Sequence, residues 1–206
     1  MYFDSRAKDF DTILRKDRAG IIADHIRQYC DAAHRTAMEF GCGTGLIGLH
    51  LTDLFSSLTL IDTSQGMIDQ AQTKLAAMPH VEAVRMDLCT GQLPARRFDC
   101  IFTSMVLHHI PDIANILAIL YGLLNDGGQL VVVDLTETDR KFHLGDPNFD
   151  GHDGFAPPQM HDWLQCVGFY SIDMQTFYHG VKEIGEITVP YSLFIARAKK
   201  RETGPK

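Results

Sequence analysis

An α/β fold, with a mainly parallel sheet covered by helices on both faces, is what this sequence predicts, and three observations carry that prediction. From Thr36 onward short apolar runs alternate with segments of helical spacing, a glycine-rich turn stands between the first run and the first helix after it, and four of the first five runs end on an acid. Parallel neighbours need a crossover to bring the chain back to the same edge, and a helix is the usual crossover, so alternation of this kind means βαβ units in a three-layer sandwich. With 206 residues and 45% hydrophobic content, one substantial core is affordable and a second domain of normal size is not indicated. The expected organisation is a single domain over 1–206, with a helical cap over 1–35, a cofactor-binding core over 36–135, and a substrate loop with the final strands over 136–206.

The elements follow in order. Ile13, Leu14, Ile21, Ile22, Ile26 and Tyr29 recur near helical spacing in a charged background, which predicts an amphipathic helix ahead of the core. Then come a strand over 36–40, a helix over 45–55, a strand over 58–61, a helix over 66–77, strands over 81–86 and 98–103, a helix over 113–124 and a strand over 129–135. Residues 139–155 are rich in Gly, Asp, His and Phe without periodicity, and read as an active-site loop or as an ordinary long connection. Pro157 and Pro158 start a helix that runs through Cys166 and stops at Gly168. Two last strands, 170–177 and 191–198, turn at His179-Gly180 or at Ile184-Gly185, and with no helix between them they pair antiparallel.

Charge and composition narrow the partners. A formal charge of −7 disfavours a phosphate backbone, and the one basic cluster, Lys199-Lys200-Arg201, reads as a solvated tail, so no nucleic acid is expected. Five cysteines without a C-x-x-C pair suit a reduced compartment, and the absence of an apolar leader or spanning run leads to an expectation of a cytoplasmic protein that binds no membrane, as monomer or homodimer. Ten histidines form no H-x-x-x-H or H-E-x-x-H pair, so no protein-held metal is expected.

The segment Glu39-Phe40-Gly41-Cys42-Gly43-Thr44-Gly45 is a strand breaking into a turn that opens a helix. Three alternating glycines let the backbone turn sharply and approach a ligand closely. Glu39 would repel phosphate but attract a cation or accept from an amino group, so a zwitterionic sulfonium cofactor fits better than a pyrophosphate. The same letters hold Gly43-x-Gly45-x-x-Gly48, with Asp62 nineteen residues after Gly43, so a nicotinamide reading also stands on this segment. Ligands of open α/β sheets sit beyond the carboxyl ends of the strands, where this chain places Glu39, Asp62, Asp87, Thr103-Ser104 and Asp134.

Taken together, Glu39-x-Gly41-x-Gly43-x-Gly45, Asp62-x-Ser64-x-x-Met67, Asp87, Phe98-Asp99-x-Ile101 with His108-His109, and Leu123-Leu124-x-x-Gly127-Gly128 resemble the class I S-adenosylmethionine-dependent methyltransferases, particularly the small-molecule branch. The resemblance implies a Rossmann-like, seven-stranded sheet of order 3-2-1-4-5-7-6 with the last strand antiparallel, which the two unbroken final runs fit. It implies S-adenosyl-L-methionine as cofactor, with Gly41 and Gly43 along the methionine moiety and Glu39 near its amino group. Asp62 falls on the ribose hydroxyls, Met67 against the adenine, and Asp87 with Leu88 at the adenine amino edge; Cys42, Gly45, Thr63 and Ser104 complete the cofactor-facing set.

For a small-molecule acceptor, His108 and His109 stand just past the fourth strand, placed to take a proton near pH 6.5 in an in-line methyl transfer. His143, His152, Asp153, Phe155 and Tyr178 are candidates for the acceptor pocket, as are Tyr2 and Phe3 if the N-terminal helix folds over it. Two alternatives remain: an NAD(P)-dependent short-chain-type oxidoreductase, because Tyr178-His179-Gly180-Val181-Lys182 spells Y-x-x-x-K, and a non-catalytic nucleotide-binding protein of the same fold. The Y-x-x-x-K pairing needs a helix, and this one follows a strand-like run. Base methylation is disfavoured by Ser104-Met105-Val106-Leu107 after the fourth strand, where base-modifying relatives carry Asn or Asp before Pro-Pro-aromatic.

Overall fold

The computed structural model describes residues 3–30, 35–137, 142–146 and 149–202. Tyr2, and residues 139–141 and 147–148 of the long segment above, lie outside the described residues. A 3-10 turn over Asp4–Asp9 leads into α1 (Ile13–Arg27), then β1 (Thr36–Phe40), α2 (Leu46–Leu51), β2 (Ser57–Asp62), α3 (Gln65–Leu75), β3 (Val81–Arg85), β4 (Phe98–Ser104), α4 (Ile113–Leu123), β5 (Leu124–Leu135), α5 (Pro157–Val167), β6 (Tyr170–Ile184) and β7 (Ile187–Lys199). The seven strands lie in the order β3-β2-β1-β4-β5-β7-β6. The first five are parallel, and β7 runs antiparallel to both β5 and β6. Fold class and strand order are those the sequence implied.

Alternation along each strand divides the core into two layers. Ala37, Leu58, Phe102, Val131 and Val133 point to a face shared with Ile22 and Ile26 of α1, Leu51 of α2 and Ile68 and Ala71 of α3. Met38, Ile61, Ile101, Leu130 and Val132 point the other way, to Ile116, Leu117 and Leu120 of α4 and Met160 and Leu164 of α5. Helix starts are fixed by side chains: Thr12 accepts from the Arg15 amide, Ser64 from that of Met67, and Asp112 from that of Asn115. Each such cap is worth about 1 kcal/mol.

Three expectations need correction. In α1 the buried positions are Ala19, Ile22, Ala23 and Ile26, whereas Ile13 and Leu14 are nearly four-fifths exposed, because the face that docks on α2 begins one turn into the helix. The terminal hairpin takes the second of its two expected turns, at Ile184-Gly185, but its strands run over 170–184 and 187–199 instead of 170–177 and 191–198 and project past β5. The Lys199-Lys200-Arg201 cluster is not a solvated tail: Lys200 is buried, its Nζ donating to the carbonyls of Tyr121 and Leu124 at 3.2 and 2.8 Å. A cation there satisfies carbonyls left over at the end of α4 and meets the negative end of the helix dipole.

Candidate active site

The glycine turn after β1 is held by backbone geometry. Gly41, Gly43 and Gly45 have φ of 72°, 53° and 77°, a left-handed conformation that side chains with a Cβ adopt at a cost. The amides of Gly41 and Cys42 donate to the Ile61 carbonyl at 2.8 and 3.0 Å, and that of Gly43 to Asp62 Oδ2 at 2.8 Å, strapping the turn to the end of β2. Asp62 Oδ1 accepts from the Ser64 amide, so each carboxylate oxygen keeps a lone pair for a ligand. Glu39 is buried and accepts from the Gly48 amide at 3.0 Å; burial pushes its carboxyl up to about 8. Burial also raises Asp62 against the lowering effect of its backbone donors.

These groups open on a cavity of about 310 Å³ at the carboxyl ends of the parallel strands. Glu39, Gly41, Cys42, Gly43, Asp62, Thr63, Met67, Asp87, Ser104 and His109 all line it. Ser104 Oγ is buried without a hydrogen-bond partner, a polar group placed for a ligand. Gly41 leaves a cradle: a Cβ there would come within 2.3 Å of Val106 Cγ2. Gly45 and Leu88 are not on the wall. Gly45 turns the chain into α2 against Ala71 and Leu60, and Leu88 points into the core with Phe98 while its neighbour Cys89 faces the cavity.

The N-terminal segment closes one side. Asp4 accepts from Ser64 Oγ and the Gly66 amide at 2.6 and 3.1 Å, pinning the 3-10 turn to α3. Phe3 and Phe10 then line the cavity, with Phe10 over Gly43 and the Arg15 guanidinium 4.2 Å from the Phe10 ring centre. Arg18 also lines it and donates to the Tyr191 hydroxyl at 3.0 Å. Sequence reading missed Phe10, Arg15 and Arg18, although two arginines three apart on one helix face were the available signal.

The histidine pair divides. His109 is on the wall, its ring edge-on to Phe3 at 5.5 Å. His108 is not: it is buried behind its neighbour, with Nδ1 2.5 Å from Asp134 Oδ1, and Asp134 is fully buried at the end of β5. The expectation that both face an acceptor is therefore corrected, because the carboxylate draws His108 into the sheet edge. Burial and the neighbouring His108 lower His109 to about 4, and burial with the same neighbour lowers His143 to about 3, so both rings are neutral at pH 7.

Of the candidate acceptor residues that the structure describes, Phe3 is on the cavity wall and His143, His152, Asp153, Phe155 and Tyr178 are not. His143 sits behind it, with ring centres 5.2 and 5.8 Å from those of His108 and His109. His152 is a brace: its amide donates to the His108 carbonyl at 2.7 Å and its Nε2 lies 3.0 Å from the Ile110 carbonyl. Phe155 is core, packed edge-on to Trp163. Tyr178 lies in β6 beside Tyr191 and reaches the cavity only through that ring and Arg18. Since Tyr178 and Lys182 are on a strand, their spacing cannot set a tyrosine and a lysine on one helix face.

A glycine turn strapped to one acid-ended strand and sealed by a buried acid, on a sheet whose seventh strand runs antiparallel, defines a nucleotide-cofactor enzyme fold of one class. Residues 38–130 match a family model described as a methyltransferase domain. An uncharacterized methyltransferase of Mycobacterium tuberculosis is 34% identical over 96 residues, covering 47% of this chain and 48% of that protein. Among solved structures, a possible histamine N-methyltransferase of Thermotoga maritima superposes with a TM-score of 0.72 at 17% identity, over 97% of this chain and 98% of that one. DhpI in complex with SAH superposes at 0.71 and 22% identity, over 97% and 94%. By these matches the chain is similar to the class I S-adenosylmethionine-dependent methyltransferases. It spans about half the length of the curated relatives it matches. Among the described residues no helix is long and apolar enough to cross a membrane.

Proposed function

We propose that this chain, acting as one domain, transfers a methyl group from S-adenosylmethionine to a small-molecule acceptor by in-line displacement. The observation that carries the reading is the meeting, in one cavity, of the glycine turn and acids of β1 to β3 with an arginine, histidine and aromatic wall. When bound, S-adenosylmethionine supplies a methyl carbon made electrophilic by the sulfonium. Every other task falls to the chain. Gly41 to Gly43 lie along the methionine moiety, with Glu39 for its amino group and Arg15, stacked on Phe10, for its carboxylate. Asp62 offers two acceptors to vicinal hydroxyls, Met67 packs against the base, and Asp87 accepts at its amino edge. Phe3 and Phe10 exclude water, and His109 lies where an acceptor proton would leave. Arg18 favours an acceptor with an acidic group, since a guanidinium on an apolar wall is matched by a carboxylate or phosphate.

Calorimetry against S-adenosylmethionine, S-adenosylhomocysteine, NAD and NADP tests the cofactor, and formation of S-adenosylhomocysteine over a panel of small acids, phenols and amines tests turnover. Binding of the sulfonium cofactor alone, with turnover on an acidic acceptor, is the expected result. NAD binding without sulfonium binding would overturn it. Cofactor binding without turnover on any acceptor would return the chain to the non-catalytic alternative. Five free cysteines, two of them buried, accord with a reducing, cytoplasmic setting.

A further inference from the structure

We propose that His108, His109 and His143 form a binding site for a divalent transition metal of the zinc type, with Asp134 as the outer partner of His108 and the fourth position open to the cavity. One ring nitrogen from each histidine lies within 4.8 Å of the other two. Three nitrogens placed tetrahedrally about 2.0–2.1 Å from a zinc ion are about 3.4 Å apart, so modest side-chain rotations close the site.

Two further observations point to a ligand. His143 has a side chain nine-tenths buried, and its Nδ1 has no hydrogen-bond partner. The nearest carboxylate, Asp153, is 3.9 Å away, beyond hydrogen-bond reach. A buried ring nitrogen is rarely left without a partner, and a metal would supply one. His108 shows the complementary state: Nδ1 is committed to Asp134 at 2.5 Å, and Asp134 also accepts from the Leu135 amide at 2.7 Å. With Nδ1 held by that carboxylate, Nε2 is the ring nitrogen left for a ligand, the carboxylate–histidine–metal relation.

The scaffold holds the three rings from separate segments. His108 and His109 come from the turn after β4. His143 comes from the loop after β5, its ring face to face with Phe149 at 3.5 Å. The loop is tied to the turn where His152 donates to the His108 carbonyl, a contact that Gly151 permits because a Cβ there would lie 2.1 Å from that oxygen. Three imidazoles suit zinc, cobalt, nickel or copper and not magnesium or calcium, which prefer oxygen. His109 alone of the three is on the cavity wall, so the open position faces the acceptor. Its use rests on the methyltransferase reading: an acceptor hydroxyl or thiol would bind there as the anion, releasing its proton to solvent. The anion then forms the new bond to the methyl carbon while the carbon–sulfur bond breaks, leaving the pair on sulfur and the metal's charge unchanged.

The test is titration of the chelator-stripped full chain with Co²⁺ and Zn²⁺, followed by visible spectra and equilibrium dialysis. One equivalent of Co²⁺ should bind with the strong visible bands of a tetrahedral site and be displaced by Zn²⁺, whereas Mg²⁺ should not compete. His143→Phe, which keeps a ring on Phe149 but removes the ligand, should abolish the bands, and Asp134→Asn should weaken binding about 10- to 100-fold. His161→Ala, on an exposed histidine, should change nothing. Binding unaltered by His143→Phe would mean adventitious surface histidines and overturn the site, as would no Co²⁺ binding by a chain that still binds S-adenosylhomocysteine. That second outcome leaves the methyltransferase reading standing. Metal binding without cofactor binding would sink that reading and leave the metal site.

Discussion

The two ends of the cavity are built differently. The proposed cofactor end draws mainly on β1, β2 and β3 and the turns after them, with Arg15 and Ser104 added, and its turn amides are committed to the Ile61 carbonyl and the Asp62 carboxylate. The acceptor end draws on the N-terminal turn, α1, the segment after β4 and the loop after β5, and its groups are long or aromatic side chains that hold one another. A site made from backbone tolerates little change in shape but is indifferent to most neighbouring side chains. A site made from side chains can be respecified by substitution, so the same cofactor end can serve different acceptors.

Breaking the division is most direct at His109. Its replacement by Ala should lower turnover by about 10²- to 10⁴-fold, the range for a lost proton acceptor or metal ligand, while cofactor affinity changes by less than about twofold. Paired kinetics and calorimetry would check this, and a matching loss of cofactor binding would show that the two ends are one site. Conversely, Asp62→Ala should cost about 1–3 kcal/mol of cofactor binding. Because Asp62 also accepts from Gly43 and Ser64, the melting temperature should fall too, and the deficit should widen once cofactor is added, since the variant binds it more weakly.

Acidity separates the ends more finely. His109 at about 4 lies below its unfolded value of 6.5, so the unfolded chain takes up a proton that the folded chain refuses. Stability should therefore decline as pH falls from about 6.5 towards 4, and denaturant midpoints of His109→Phe should decline less over that window. Glu39 behaves oppositely: raised from 4.5 to about 8, it makes the folded state less stable as pH climbs between those values. A cationic amino group favours the ionised carboxylate, so cofactor binding should release a proton near pH 7 and tighten as pH rises to about 8. Calorimetry in buffers of different ionisation enthalpy would detect it, and Glu39→Gln should remove it. The smallest effect expected is at Arg18: replacement by Lys should raise the KM of an acidic acceptor several-fold through a lost planar contact, with kcat nearly unchanged.

How much was legible follows the same division. Sheet order came with the family resemblance, whereas the residues that line one side of the cavity could be read because strand, glycine turn and terminal acid are adjacent in sequence. The meeting of His143 with His108 and His109 could not be read, since a loop without periodicity carries it across 34 positions and its docking depends on Gly151 and His152. Phe10, Arg15 and Arg18 escaped for a related reason. A helix whose polar side chains line a cavity has the same pattern as one whose polar side chains meet water. Lys200 escaped because its partners are carbonyls at the end of α4, which no residue type announces.

Gly48 deserves a different name from the one its spacing suggests. A Cβ at that position would lie 2.6 Å from Glu39 Oε2, and the Gly48 amide is the group that holds this carboxylate. The third glycine of Gly43-x-Gly45-x-x-Gly48 is thus the vacancy into which the acid fits, and the two positions form one unit nine residues apart. The same glycine also serves the close packing of helix on strand that a pyrophosphate-binding turn needs, since its Cβ would lie 2.6 Å from Leu60 Cδ2 of β2. Identical spelling can therefore carry one role or two, and the letter that adds the second is the acid four places ahead of Gly43. Exchanging cofactors in such a scaffold would mean exchanging that acid and its glycine together, since either one alone leaves a carboxylate without a seat or a seat without a carboxylate.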